Sequence, residues 1–139
     1  MKPLTTIILL SITATINCQV FFTIEPFTFK PGILYHKEIN QLGVYGLAQM
    51  GEIEQYNFYS RTYKAGAGIS FKYDKANILV GINRNHYFDT RNESLNVDLS
   101  RVKKISFDLG LIVKPGRLAF CAITDPLNWE TSLGLGYNF

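Results

Sequence analysis

The residues of this chain that could do acid–base chemistry are two histidines, and neither has the neighbours that such chemistry needs. His86 lies in NRNHYFDT with Asp89 close by, but Phe88 occupies the place two residues on where a serine would be sought. Ser60 and Ser94 belong to other segments, and His36 falls in HKEIN, which reads as a short turn. A histidine activates a serine only from within hydrogen-bond reach. A loop histidine without such a serine reads as a polar surface residue. No HExxH, GxSxG, P-loop or dinucleotide fingerprint occurs. No enzyme activity is expected, and no catalytic, cofactor-binding or metal-binding residue is assigned. Cys18 stands at the end of the first apolar segment, so Cys121 has no partner for an internal disulfide if that segment is removed. A lone cysteine on an apolar strand reads as a small buried hydrophobe. What remains is ionic: Lys64, Lys72, Lys104 and Asp108 sit at regular spacings inside patterned segments.

Those segments are strands. In TYKAGAGISFKY, Tyr63, Ala65, Ala67, Ile69, Phe71 and Tyr73 share one face, and Thr62, Lys64, Gly66, Gly68, Ser70 and Lys72 share the other. A helix would scatter both sets, whereas a strand separates them. KISFDLGLIV repeats the pattern, with Ile105, Phe107, Leu109, Leu111 and Val113 opposite Lys104, Ser106, Asp108 and Gly110; Ile112 interrupts the polar face. ILVGINR, LAFCAI and QLGVYGLAQM are shorter or mixed runs whose orientation the pattern leaves open.

The connections alternate in length. Short turns are expected at HKEIN, DKAN and KPGR, and longer polar segments at GEIEQYNFYS, NHYFDTRNES and DPLNWE. An up-and-down sheet has its turns at alternate ends, so short turns gather at one end and long loops at the other. Division near Glu25 and Pro26 gives eight strands, at about 20–25, 27–36, 41–50, 61–73, 78–85, 103–113, 118–124 and 131–139. Pro26 and Pro31 fall within the first hairpin, which is expected to be bent or partly paired because proline donates nothing to a ladder.

A chain of 139 residues is one domain, and a formal charge of +3 without a basic block gives no reason to expect nucleic acid. MKPLTTIILLSITATINCQV carries Lys2 and then an apolar run from Ile7 to Ile16. A spanning helix needs roughly 20 apolar residues, about twice this run, so the segment reads as a secretory signal. The expected division is residues 1–18 as signal peptide and 19–139 as the mature domain, with lipidation of Cys18 as the other way of processing the leader.

The final stretch SLGLGYNF alternates to the last residue, with Leu133, Leu135, Tyr137 and Phe139 opposite Ser132, Gly134, Gly136 and Asn138. The chain resembles the small outer-membrane β-barrel proteins of Gram-negative bacteria. Their last strand carries a polar residue, a glycine and two aromatic or apolar residues spaced by one, and Ser132, Gly134, Tyr137 and Phe139 match it. The resemblance implies an antiparallel up-and-down transmembrane barrel of eight strands. It also implies export to the outer membrane, contact with its lipid, and recognition of the last strand by the barrel-assembly machinery. Aromatics near strand ends (Tyr73, Tyr137 and Phe139 at one rim; Tyr56, Phe58, Tyr59, Tyr63, Phe88 and Trp129 at the other) would form interfacial girdles.

On this reading Tyr63, Ile69, Phe71, Phe107, Leu109, Leu133 and Leu135 face lipid, and Lys64, Lys72, Lys104 and Asp108 face the lumen. Side chains just fill the interior of an eight-stranded barrel, so a plug of paired charges and a structural or surface-interaction role are expected. Two other readings stand beside it: a narrow pore, and a soluble secreted barrel binding an apolar ligand with its apolar faces turned inward.

Overall fold

Alternation of apolar and polar residues favours extended chain, because successive side chains then leave opposite faces of a sheet. The computed structural model describes residues 18–27, 29–55, 58–89 and 104–138, with side chains described for these apart from 52–62 and 86–89. Over the described residues the chain is all-β. Its eight strands are β1 (Cys18–Glu25), β2 (Lys30–Ile39), β3 (Leu42–Gln55), β4 (Phe58–Tyr73), β5 (Ala76–Asp89), β6 (Ile105–Val113), β7 (Leu118–Asp125) and β8 (Glu130–Asn138). Each pairs antiparallel with the next, and β1 also pairs with β8 from Gln19↔Asn138 to Ile24↔Leu133, closing the barrel. Closure pairs the backbone around the wall and removes its edges.

The number and order of strands agree with the sequence reading; several boundaries do not. HKEIN is not a turn. β2 continues through His36 to Ile39, and the reversal is made by Asn40 and Gln41, with Asn40 at φ 60°. Asparagine tolerates this left-handed region better than most residues, and Asp74 at φ 55° starts the equally short β4–β5 turn in the same way. GEIEQYNFYS is no loop either: β3 runs to Gln55 and β4 begins at Phe58. Likewise β5 runs on to Asp89. The first hairpin pairs throughout, from Cys18↔Lys37 to Glu25↔Lys30, with Pro26 in the turn. Pro31 is tolerated because it lies one residue beyond the β2–β3 register, which starts at Gly32↔Gln49. Of the leader read at residues 1–18, residues 1–17 lie outside the described residues, and β1 begins at Cys18.

The wall is uneven in height. β3, β4 and β5 have 14, 16 and 14 residues, whereas β1, β7 and β8 have 8, 8 and 9. Its two faces differ chemically. Among the described side chains, the outward positions form a continuous apolar belt, in which Tyr63, Ile69, Phe71, Phe107, Leu109, Leu133 and Leu135 are all exposed. Lys37 and Arg84 are the charges on that face, at opposite ends of the wall. The polar and ionised groups are mostly turned inward and buried, among them Gln19, Lys30, His36, Gln49, Lys64, Asn83, Asp108 and Asp125.

Candidate functional site: the barrel interior

Three layers fill the interior. At the end with the short turns, Glu38 of β2 gathers three groups: Lys114 in an ion pair, Lys72 Nζ at 3.3 Å and Asn77 Nδ2 at 2.8 Å. Burial lowers the pKa of the Lys114 ammonium, which lies in the β6–β7 turn. Lys72 belongs to this rim, half-exposed, and not to the ionic group around Asp108. Lys104 is also outside that group; it is exposed, just before β6, and its carbonyl accepts the Asn85 N–H at 2.8 Å.

Next to this rim lies a hydrogen-bonded relay through four strands. Ser70 Oγ donates to His36 Nε2 at 2.7 Å, His36 Nδ1–H donates to Gln19 Oε1 at 2.9 Å, and Gln19 Nε2 donates to Asn138 Oδ1 at 3.0 Å. This places His36 in the barrel, fully buried, and not in a turn. A serine hydrolase activates its nucleophile through a serine–histidine–carboxylate chain, in which a carboxylate stands where Gln19 stands here. Here Ser70 is 1% exposed, and the four side chains link four strands of the wall. The relay therefore acts as a tie between β4, β2, β1 and β8. Replacing His36 by leucine should leave the Ser70 hydroxyl buried and unpaired, at a cost of about 1–3 kcal/mol. Ser70→Ala leaves only His36 Nε2 without its partner, whereas His36→Leu strands both the Ser70 hydroxyl and Gln19 Oε1, so Ser70→Ala should cost less. Urea midpoints in lipid vesicles will separate the two, and a His36→Leu midpoint equal to the parent would exclude the tie.

The middle layer is apolar. Phe21, Leu34, Leu79 and Ile112 are fully buried and pack with Tyr45, Leu47, Cys121 and Ile123. Ile112, which interrupts the polar face of its strand in the sequence, is part of this layer, and Cys121 is a free, buried thiol within it. Tyr45 crosses the wall where Gly68 and Gly81 stand side by side; a Cβ on either would strike its ring or hydroxyl. Glycine is required there because the ring needs the space, and the ring in turn covers backbone that glycine leaves bare.

The third layer, toward the other end, is ionic. Lys64 is 4% exposed and lies 3.6 Å from Asp108 Oδ1, 3.6 Å from Asp125 Oδ2 and 3.7 Å from Glu130 Oε2. Lys30 pairs with Glu130 at 2.6 Å. Asn83 Nδ2 donates to Asp108 Oδ1 at 2.7 Å, Asn85 Nδ2 donates to Asn83 Oδ1 at 3.0 Å, and Ser106 Oγ donates to Asp125. Below them, Gln49 Nε2 donates to Ser132 Oγ at 2.8 Å and Thr23 Oγ1 at 3.3 Å. Thus Ser132 of the C-terminal pattern is an interior hydrogen-bonding residue. Gly134 makes room for Cys121 and Thr23, Tyr137 is exposed on the outer face, and Phe139 lies outside the described residues. Among the described residues no group of three or more His, Cys, Asp or Glu is arranged to hold a metal ion; a lysine stands where the carboxylates converge. The His86 and Ser60 side chains, and Ser94 altogether, lie outside the described residues.

Sequence reasoning found Lys64 and Asp108 but missed His36, Gln19, Ser70, Lys30, Asp125 and Glu130. The signal for β2 was present: in KPGILYHKE, every second residue from Lys30 to Glu38 turns inward. No protein-family model, curated protein or solved structure matches this chain.

Proposed function

We propose that this chain is a small exported β-barrel of the Gram-negative outer membrane, closed to ions, with a structural or surface-interaction role. One observation carries the reading: among the described side chains the wall is apolar outward except toward its ends, while most of the charges and amides are buried inside. A soluble barrel has the opposite arrangement, because water solvates charge and apolar residues go to the core. In a bilayer the inversion is favourable, since backbone groups are paired around the ring and the outward side chains match hydrocarbon. The apolar middle layer supports a plug over a pore, because Phe21, Leu34, Leu79 and Ile112 are fully buried in one apolar cluster, where an ion path would need polar lining. Among the described residues the inward apolar side chains pack on one another, which speaks against a carrier of apolar ligands. On this reading the leader directs export, Ser132, Gly134, Tyr137 and Phe139 present the last strand to the assembly machinery, and outer-membrane lipid is the permanent partner.

Cell fractionation should recover the protein with the outer membrane, and its gel mobility should shift on boiling as a folded barrel opens. Pure protein in planar bilayers should give no sustained conductance. Recovery in the soluble periplasmic fraction would overturn the membrane reading, and a stable ohmic single-channel current would replace the plug by a pore.

A further inference from the structure

The two turns at the low side of the wall are built to one plan. Glu25–Lys30 reads EPFTFK and Asp125–Glu130 reads DPLNWE: a strand-closing acid, proline, a large apolar residue, a polar residue, an aromatic residue, then the charge that opens the next strand. In each, the acid caps the turn. Glu25 Oε1 accepts the Phe27 N–H at 3.2 Å, and Asp125 Oδ1 accepts those of Leu127 and Asn128 at 3.2 and 3.1 Å. The two opening charges, Lys30 and Glu130, are the pair at 2.6 Å, so the turns are also joined to each other.

The aromatic position is unusual in both. Phe29 and Trp129 have φ of 50° and 55°, a region that bulky side chains rarely adopt. Among the described residues the other non-glycine residues there are Asn40 and Asp74, whose side chains suit it. Backbone geometry alone would favour glycine or asparagine at both places, so it does not account for the aromatic rings. Nor does packing: Phe29 is 73% exposed, Trp129 90% and the preceding Phe27 85%.

Strand length supplies a reason. At about 3.3 Å per residue and a tilt of roughly 40°, strands of 8 or 9 residues rise about 20 Å, short of the roughly 25 Å apolar band of an outer-membrane barrel. The turns begin where the belt of β1 and β8 ends. We infer that Phe27, Phe29, Leu127 and Trp129 form a rigid lip immersed at the boundary between acyl chains and headgroups, completing the apolar band on the low side. The inference rests on the membrane reading. Its occupant is lipid because the four side chains are exposed in turns that join strands whose outward face is the apolar belt, and aromatic rings favour that depth.

Trp129 is the single tryptophan of the chain and reports on the lip directly. The full-length mature protein is reconstituted in phosphatidylcholine vesicles brominated either near the headgroup end or near the tail end of the acyl chain. A second variant, Phe120→Trp/Trp129→Phe, carries its tryptophan at an outward belt position on β7. The expected result is blue-shifted Trp129 emission, quenched several-fold more by shallow than by deep bromines and weakly by aqueous acrylamide. Emission from Trp129 that is water-like and quenched by acrylamide, with the Phe120→Trp signal still quenched by bromines, would overturn the lip and leave the barrel in the membrane. That outcome would point to a protein contact instead. If bromines quench neither tryptophan, the membrane reading fails and the lip fails with it.

Discussion

Lys64→Met should be among the most damaging single substitutions in this barrel, lowering its unfolding free energy by about 3–5 kcal/mol, the range for removing one partner of a buried ion pair. The reason is what it leaves behind. In the upper interior two lysines, Lys30 and Lys64, face four buried or nearly buried carboxylates, Glu25, Asp108, Asp125 and Glu130. Lys30 is taken up by Glu130, so Lys64 alone stands within ion-pair reach of Asp108 and Asp125 among the described residues. Methionine matches the lysine stem in volume and removes only the charge. The double variant Lys64→Met/Asp108→Asn should recover part of the loss, because it removes one stranded carboxylate. Urea unfolding in lipid vesicles, followed by Trp129 emission, checks both. Equal losses for the single and double variants would mean that Lys64 acts through packing alone.

The sequence reached Lys64 and Asp108 because both lie in strands of nearly perfect alternation, where the face of one residue fixes the face of all. It could not reach the partners. Lys30 and Glu130 are 100 residues apart, and they meet across β1 only because the barrel closes. Alternation gives the face of a residue but not its height along the axis. That is why Lys72 and Lys104, at inward positions by parity, sit at opposite ends of the wall from one another, and why neither joins Lys64.

The place of His36 is hidden in the sequence for a different reason. A run of His, Lys, Glu and Asn looks like a solvated turn, since ionic residues usually face water. In a wall with its polar side inward, the same residues continue the strand: His36 and Glu38 follow Lys30, Gly32 and Leu34 into the interior. The extensions of β3, β4 and β5 were hidden by composition as well. Polar residues on both faces carry no period-2 contrast, yet a hairpin pairs its backbone regardless, as Ile53↔Ser60 does.

What surrounds the outward face can be read from one substitution whose outcome depends on it. Leu109 is the central residue of β6 and half-exposed on that face, opposite Val80 on β5 and Thr124 on β7. If water lay outside, Leu109→Arg would be an ordinary surface change, within about 0.5 kcal/mol of neutral. In a bilayer it places a guanidinium near the midplane, at a cost of about 2–4 kcal/mol, falling to about 0–1 kcal/mol near the interfaces. Ile39→Arg is the matched control: Ile39 is also exposed, but it ends β2 beside the short turn. The natural charges agree with this gradient, since Lys37 and Arg84 lie toward the two ends of the wall and the belt between them has none among the described side chains. Folding yield and urea midpoint in vesicles should therefore drop sharply for Leu109→Arg and little for Ile39→Arg. Equal behaviour of the two, both close to the parent, would mean that the belt meets water, and the membrane assignment would fall with it. Equal and severe losses would mean that the outward face is packed against protein, because only a bilayer makes the cost depend on depth.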